Sequence, residues 1–281
     1  MLKKYISAIG EQAFIKKMYR SKHGRELDLN RPIGFSEKLA WTKLYDKNSL
    51  MTICADKHLV RSYVESRVGD RYLIPQLGVY NKFSEIDFSK LDTPYVLKVN
   101  HTSGGNCFDL EKKPLSLTKA KKELEHYMKL NAYYFACEWA YKDIKPKIVA
   151  ERVILDENGK LPNDYKIFCF NGKPKFIQVD ISRFENHRRD FYDLEWVKLD
   201  YKFVYDNSLH GVKRPENLDE MLEIATKLSQ EFNFARVDLY EIRGKIYFGE
   251  ITFYPEGGSK EFSETQHEHL VGDYLKLSLN S

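Results

Sequence analysis

Phe234-Ala-Arg-Val-Asp-Leu-Tyr-Glu-Ile-Arg-Gly-Lys-Ile-Tyr-Phe-Gly-Glu-Ile-Thr-Phe253 reads as two β-rich runs around the turn signal Arg243-Gly244-Lys245, the pattern of an antiparallel hairpin. Side chains alternate with period two, so Arg236 and Asp238 share a face of the first run, and Glu250 and Thr252 share one on the second. With a three-residue loop, position 242 pairs with 246, and the register sets Asp238 against Glu250 and Arg236 against Thr252. A two-residue loop moves the register by one and sends the carboxylates to opposite faces. Two acids on one face with no Lys between them repel unless a cation joins them or one keeps its proton. Hard oxygens with open positions suit Mg²⁺, which takes one or two carboxylates and completes its shell with water and substrate phosphates. A solvated face of an edge hairpin is the plain alternative. The loop Tyr254-Pro-Glu-Gly-Gly258 lies beside the acids and lets backbone approach a ligand closely.

The chain has 281 residues, enough for one large or two ordinary domains with a real core. Apolar residues at 42% and aromatics at 14% argue for a packed globular chain and against disorder. A net charge of +4 favours anionic ligands but is too small for a nucleic-acid partner. No apolar run reaches membrane-spanning length, and the start, Met1-Leu-Lys-Lys-Tyr-Ile-Ser-Ala-Ile-Gly10, has too short a hydrophobic stretch for a signal peptide. Cys54, Cys107, Cys137 and Cys169 lack any C-x-x-C spacing, so neither zinc nor a disulfide frame is indicated. These features predict a soluble, cytoplasmic protein.

Residues 1–20 and Ser36–Tyr45 are predicted helices, with Ser36 as N-cap and Asn30–Gly34 as connector. The segment serves as a brace, with His23, Arg25 and Arg31 at the surface. Asp56-Lys57-His58 opens a third helical run through Arg67, in which Val60, Val64 and Val68 fall on one face. A lysine in the first turn opposes the helix dipole, which suggests a phosphate partner for Lys57; an ordinary exposed lysine is the plain alternative.

Tyr95-Val-Leu-Lys-Val-Asn100 is a compact strand followed at once by His101-Thr-Ser-Gly-Gly-Asn106. A lysine inside an apolar strand is costly unless it snorkels or meets an anion. Hydroxyls, two glycines and free amides are the parts of a phosphate-covering loop. The Walker spacing is missing, which disfavours a P-loop, and a simple β-turn also accounts for the glycines.

Ser116–Leu130 is an amphipathic scaffold helix, and Tyr133-Tyr-Phe with Trp139 and Tyr141 suits a core or a pocket wall. Lys147–Ile154 is a buried strand whose backbone edge at Glu151–Val153 could meet a base. Asn163–Asp180 forms a hairpin across Asn171-Gly172, with Asp164 and Lys166 on one face and Tyr165 and Ile167 on the other. Arg183–Asp193 concentrates cations, either as a solvated loop or as a clamp for an anionic group. Glu216–Phe232 and Thr265–Leu277 are further helices; Ser263, His267 and His269 have no metal-ligand partners.

Asp56-Lys57, Lys98 before His101-Thr-Ser-Gly-Gly, Glu151-Arg-Val, Arg236-x-Asp238 and Glu250-x-Thr252, in this order, resemble the ATP-grasp superfamily. Asn100-His-Thr-Ser-Gly-Gly-Asn, Asn163-Asp-Tyr-Lys and Gly249-Glu-Ile-Thr-Phe-Tyr-Pro narrow the resemblance, which covers roughly residues 50–275, to TupA-like proteins, named for teichuronopeptide biosynthesis. The resemblance implies an α+β ATP-grasp fold: two α+β subdomains (51–155 and 156–281) clasp ATP between antiparallel sheets. A short helical segment, 1–50, replaces a full pre-ATP-grasp domain. It implies ATP and Mg²⁺ as cofactors, with Lys57 and Lys98 on the phosphates and His101, Thr102, Ser103, Gly104 and Gly105 in a mobile flap. Glu151 with the backbone of Arg152 and Val153 would read adenine, and Asp164, beside Lys166, would contact ribose. Asp238, Glu250 and Thr252 would hold the metal, with Arg236 beside the transferring phosphoryl group. Most ATP-grasp enzymes have Asn where Thr252 stands, so a second metal ion is in question.

The implied activity is an ATP-dependent carboxylate–amine ligase that works through an acyl phosphate. Its acceptor would be an acidic glycan or sugar nucleotide, met by Arg183, Arg188 and Arg189, and its other substrate an amino acid or other amine. A sugar phosphotransferase on the same scaffold and a non-catalytic glycan-binding protein are the alternatives.

Overall fold

Glycines at positive φ cut the N-terminal stretch: Gly10 separates α1 (Leu2–Ile9) from α2 (Glu11–His23), and Gly24 ends α2. The computed structural model describes residues 2–181 and 186–278. Helix α3 (Phe35–Tyr45) begins one residue before the expected Ser36 cap, because the Glu37 carboxylate accepts the amides of Ile33 and Gly34 at 2.7 and 3.1 Å. Ser36 has a long-range role: its hydroxyl donates to Glu261 at 2.9 Å and its amide to Glu268 at 2.6 Å. His23 turns to Glu261 instead of the surface, with Nδ1 at 3.2 Å, while Arg25 stays exposed as expected and reaches the same carboxylate with Nη1 at 3.0 Å. Burial alone would raise the Glu261 carboxyl, but Arg25 and Ser36 hold it down at about 2. The brace is therefore bonded to the far end of the chain.

Next come α4 (Ser49–Ala55), α5 (Val60–Val68), β1 (Gln76–Tyr80), β2 (Tyr95–Val99), β3 (Cys107–Asp109), α6 (Leu117–Tyr127), α7 (Ala132–Ala136) and β4 (Ile148–Arg152). The strands form an antiparallel sheet in the order β1-β4-β2-β3, covered by Ala120 and Leu124 of α6. Strand β4 is central, with β1 on one side and β2 on the other, so it offers no free backbone edge.

Strands β5 (Asp164–Phe170), β6 (Lys173–Ile181), β7 (Arg188–Tyr192) and β8 (Lys198–Leu199), helix α8 (Leu218–Ser229), strands β9 (Phe234–Ile242) and β10 (Lys245–Thr252), and α9 (Thr265–Tyr274) complete the chain. The second sheet runs β10-β9-β5-β6-β7-β8, all antiparallel. The expected cationic loop from residue 183 is thus strand from Arg188 onward. One sheet face, with Ile167, Val179, Val237 and Leu239, packs on α8, α4 and α5. Met51, Val60 and Val64, grouped by the sequence reading with the four-stranded sheet, share this core. The opposite face divides into an aromatic end, under Phe35, Phe262 and Val271, and a charged end.

The β9–β10 hairpin turns through two residues, Arg243 and Gly244, both at positive φ (52° and 70°), instead of the expected three. That register alone would separate the acids. A bulge between Phe248 and Glu250 shifts it by one, and Asp238 then lies opposite Glu250 and Arg236 opposite Thr252. Gly249 makes the bulge possible, since a Cβ there would lie 3.0 Å from the Asp238 carbonyl oxygen and 3.0 Å from the Tyr240 ring.

Candidate active site

Cross-strand pairing brings Lys166 of β5 beside Asp238 of β9. This corrects the expectation that no lysine stands by the paired acids: the neighbouring strand supplies one. Lys166 Nζ reaches Asp238 Oδ2 at 2.6 Å, and Arg236 grips both oxygens of Asp238 at 2.7 Å. Asp238 is 1% exposed and Lys166 3%. Burial pushes the Asp238 carboxyl up, and Arg236 and Lys166 pull against it; Arg236 itself is held protonated by Asp238 despite its burial. Lys166 also lies 3.5 Å from Asp164, which meets the Tyr240 hydroxyl.

Glu250 has a different setting. Its side chain is 42% exposed, and Oε1 accepts from the Thr252 hydroxyl at 3.0 Å and from Arg236 at 3.4 Å. Arg236 also donates to the Thr252 hydroxyl at 3.3 Å. Burial would raise the Glu250 carboxyl, but the charges of Lys57, Arg236 and Lys166 hold it at about 2. Glu250 is therefore an ionised, partly open hard-oxygen donor. Among the described residues no group of three His, Cys, Asp or Glu side chains forms a protein metal cage. Glu250 and the Thr252 hydroxyl are the hard-oxygen groups open to Mg²⁺ carried largely by substrate phosphates, whereas both Asp238 oxygens are already taken by Arg236 and Lys166.

Lys57 lies in the turn between α4 and α5, not in a first helical turn, so the dipole argument does not apply to it. The Asp56 carboxylate shapes this turn by accepting the amides of His58 and Leu59 at 2.8 and 3.2 Å and the Asn100 amide group at 2.8 Å. Lys57 Nζ donates to the Thr102 carbonyl at 2.7 Å. Burial lowers the Lys57 ammonium while Glu250 raises it and Lys98 lowers it, so the three charges converge. Lys98 reaches across its sheet to Glu151 at 2.5 Å.

The loop after β2 is seated on α6. Gly104 and Gly105 adopt φ of 95° and 66°, and a Cβ at either would stand 2.9 Å from the Tyr127 side chain. Thr102 and Ser103 stay accessible, whereas His101 is fully buried and bonded through Nε2 to the Leu130 carbonyl at 2.9 Å. The His101 side chain is thus part of the loop's anchor and is not offered to a ligand. The amides of Arg152 and Val153 donate to the Pro75 and Pro94 carbonyls, each at 3.0 Å. An adenine cannot take those amides, because β4 and the residue after it are already paired on both sides.

Toward β7, the arginine group separates. Arg183 lies outside the described residues. Arg188 points to the opposite sheet face from Arg189 and sits 3.6 Å from Asp206. Arg189 is the inward one, bonded to Asp180 at 2.7 Å, the Phe203 carbonyl at 3.1 Å and Glu256 at 3.2 Å. Burial raises the Asp180 carboxyl, but Arg189 overrides it and carries it well below the usual range. This cation is matched internally and does not form the anion clamp that the sequence suggested. Gln178, Asp180 and Tyr240 were not singled out as site residues; the alternation Phe176-Ile-Gln-Val-Asp180 was the available signal, placing polar groups on one face of a buried strand.

A two-sheet α+β architecture, paired acids on a terminal hairpin, Lys57 within electrostatic reach of Glu250 and a glycine loop alongside are the features of an ATP-grasp protein. The profile of the family described as TupA-like ATPgrasp matches residues 37–276. The chain belongs to this TupA-like ATP-grasp family. Among curated proteins no relative was found. Solved structures similar to it include D-alanine–D-alanine ligase from Bacillus anthracis, with TM-score 0.42 and 20% identity, covering 72% of this chain and 57% of that one. L-amino acid ligase from Bacillus licheniformis aligns with TM-score 0.47 and 13% identity, over 88% of this chain and 55% of that one. The chain thus spans a little over half the length of these two structures.

Proposed function

We propose that the protein is an ATP-dependent carboxylate–amine ligase. The observation that carries this reading is Lys57, whose ammonium feels both Lys98 and Glu250, an acid held at about 2 on the far sheet beside Arg236. ATP and a carboxylate substrate are both anionic, so the barrier to phosphoryl transfer is dominated by charge that these cations neutralise. A substrate carboxylate oxygen attacks the γ-phosphorus, the bond to the ADP oxygen breaks, and ADP departs. An amine nitrogen then attacks the acyl carbon, the bond to phosphate breaks, and the amine gives up a proton as the amide forms. Lys57 and Lys98 bind phosphate oxygens, Arg236 faces the transferring group, and the 102–106 loop excludes water from the acyl phosphate. Mg²⁺, held by Glu250 with Thr252, would supply charge neutralisation at the phosphates. Asp164 is assigned to the ribose.

The acid would be a uronic acid of a bacterial surface polysaccharide or its precursor, and the amine an amino acid. The test is to incubate the protein with Mg-ATP, a uronic acid oligosaccharide and mixed amino acids, then weigh the oligosaccharide. A gain of one amino acid less water supports the ligase, and a gain of phosphate indicates a phosphotransferase. Absence of ADP release favours a non-catalytic glycan-binding protein, a reading helped by the engagement of Asp238 with two cations. Glu250→Gln and Asp238→Asn are expected to cut ADP release at least about 100-fold while the protein stays folded. Wild-type turnover in Glu250→Gln removes the metal assignment.

A further inference from the structure

Charge is distributed unevenly along this chain. Between Leu2 and Arg25 stand seven Lys and Arg against one acid, Glu11, a local balance of +6. The whole chain carries +4, so everything outside that stretch sums to −2. Arg25 is paired with Glu261 and His23 is turned inward to it, but the lysines and the arginine described on α1 and α2 lie along their outer surface. Lys16, Lys17 and Arg20 line an open hollow on α2 together with Ser21 and Glu26.

Apolar groups accompany these cations. Helix α1 buries Ile6 but leaves Tyr5 37% and Ile9 36% exposed. Lys17 donates to the Tyr5 hydroxyl at 2.8 Å, and Lys3 sits 5.4 Å from the centre of the Tyr134 ring. On α7, which packs against α1, Phe135 is 47% exposed. A dissolved polyanion needs cations only. Lysines ringing half-exposed aromatic and aliphatic side chains suit a partner that is anionic at its surface and apolar just beneath it.

We propose that the α1–α2 face docks the protein on an anionic phospholipid surface. The interaction is peripheral: no described helix is long and apolar enough to cross a membrane. None of the residues of this face is assigned to the candidate active site, so the proposal stands or falls independently of the ligase reading.

Co-sedimentation tests it, using the full chain with vesicles of phosphatidylcholine alone or of two parts phosphatidylcholine to one part phosphatidylglycerol. The protein should pellet with the mixed vesicles at low salt and be released at about 1 M salt, where screening falls to about 3 Å. The triple variant Lys3→Gln, Lys16→Gln, Lys17→Gln should lose about a hundred-fold in partitioning, since each lysine contributes roughly tenfold or somewhat less at such a surface. Its urea midpoint should equal that of the parent, because these side chains lie at the surface. Ile9→Ser should weaken vesicle binding and leave any binding to dextran sulfate unchanged. No pelleting with mixed vesicles, equal pelleting with neutral ones, or full binding by the triple variant overturns the proposal. Tight binding to dextran sulfate without vesicle binding also overturns it and reassigns the surface to a soluble polyanion.

Discussion

The two ends of one face of the six-stranded sheet are held by different physics. At the aromatic end, Phe168, Phe170, Phe176, Phe191 and Phe234 interleave under Phe35 and Phe262, with Phe168 and Phe176 stacked at 4.6 Å between ring centres. Farther along the same strands, Lys166, Asp238, Asp180 and Arg189 are just as buried but are held by charged and polar partners. An apolar contact tolerates rearrangement, whereas each buried charge depends on a specific opposite charge. The aromatic end secures the sheet. The charged end keeps ionised groups at fixed positions where a substrate can meet them.

Removing a ring from the aromatic end should produce the largest loss of stability. Phe168→Ala is expected to cost about 3–5 kcal/mol in urea unfolding; a loss under about 1 kcal/mol would mean that the rings do not carry this end. At the charged end, Lys166→Met leaves Asp238 with Arg236 alone and should cost roughly 3 kcal/mol, the lower part of the range for a broken buried pair. If Lys166→Met unfolds at the parental urea concentration, the pair is not a structural requirement and the contrast fails. Gly249→Ala crowds the Asp238 carbonyl and the Tyr240 ring, so it should cost about 1–2 kcal/mol. Its ADP release should fall by more than its stability explains, because the bulge aims Glu250.

The smallest effect concerns pH. Burial raises the Glu138 carboxyl to about 7 while Lys43 opposes it, and Glu138 Oε1 would lie 3.3 Å from a Cβ on Gly257, in the loop that follows the metal hairpin. A carboxyl with a raised folded-state pKa is protonated in both states below about 4.3, its unfolded value, and carries no penalty there. The penalty grows as pH rises from there through about 7, so stability should decline across that window. Glu138→Gln should flatten the decline; an unchanged slope would place the carboxyl in water.

Local alternation made much of this legible. The period-two pattern and the Asn171-Gly172 and Arg243-Gly244-Lys245 turn signals identified both hairpins, but the face shared by Asp238 and Glu250 rests on a two-residue turn plus the bulge at Gly249, which the pattern does not record. What stayed hidden was set by partners distant in sequence. Lys166 meets Asp238 because β5 pairs with β9, a neighbour relation that no local pattern records. Whether Glu151–Val153 lies on an edge depends on β1 and β2 flanking β4, and the inward turn of His23 depends on Glu261. Charges could be read as a list but not as pairs, which is why Arg189 looked available.

The slack in the final ribbon has a further consequence for how its length can change. A tight tip and one looped-out glycine together set the parity, and the glycine is a residue that the ladder can lose without losing that parity. Deleting Gly249 would leave Phe248 opposite Leu239 and Glu250 opposite Asp238 in an unbroken ladder, so Glu250 and Thr252 would still face the cleft and Ile251 the core. Straightening the ladder with Gly249 retained would instead turn Glu250 and Thr252 toward α8, so the extra residue and its bulge are tolerated only together.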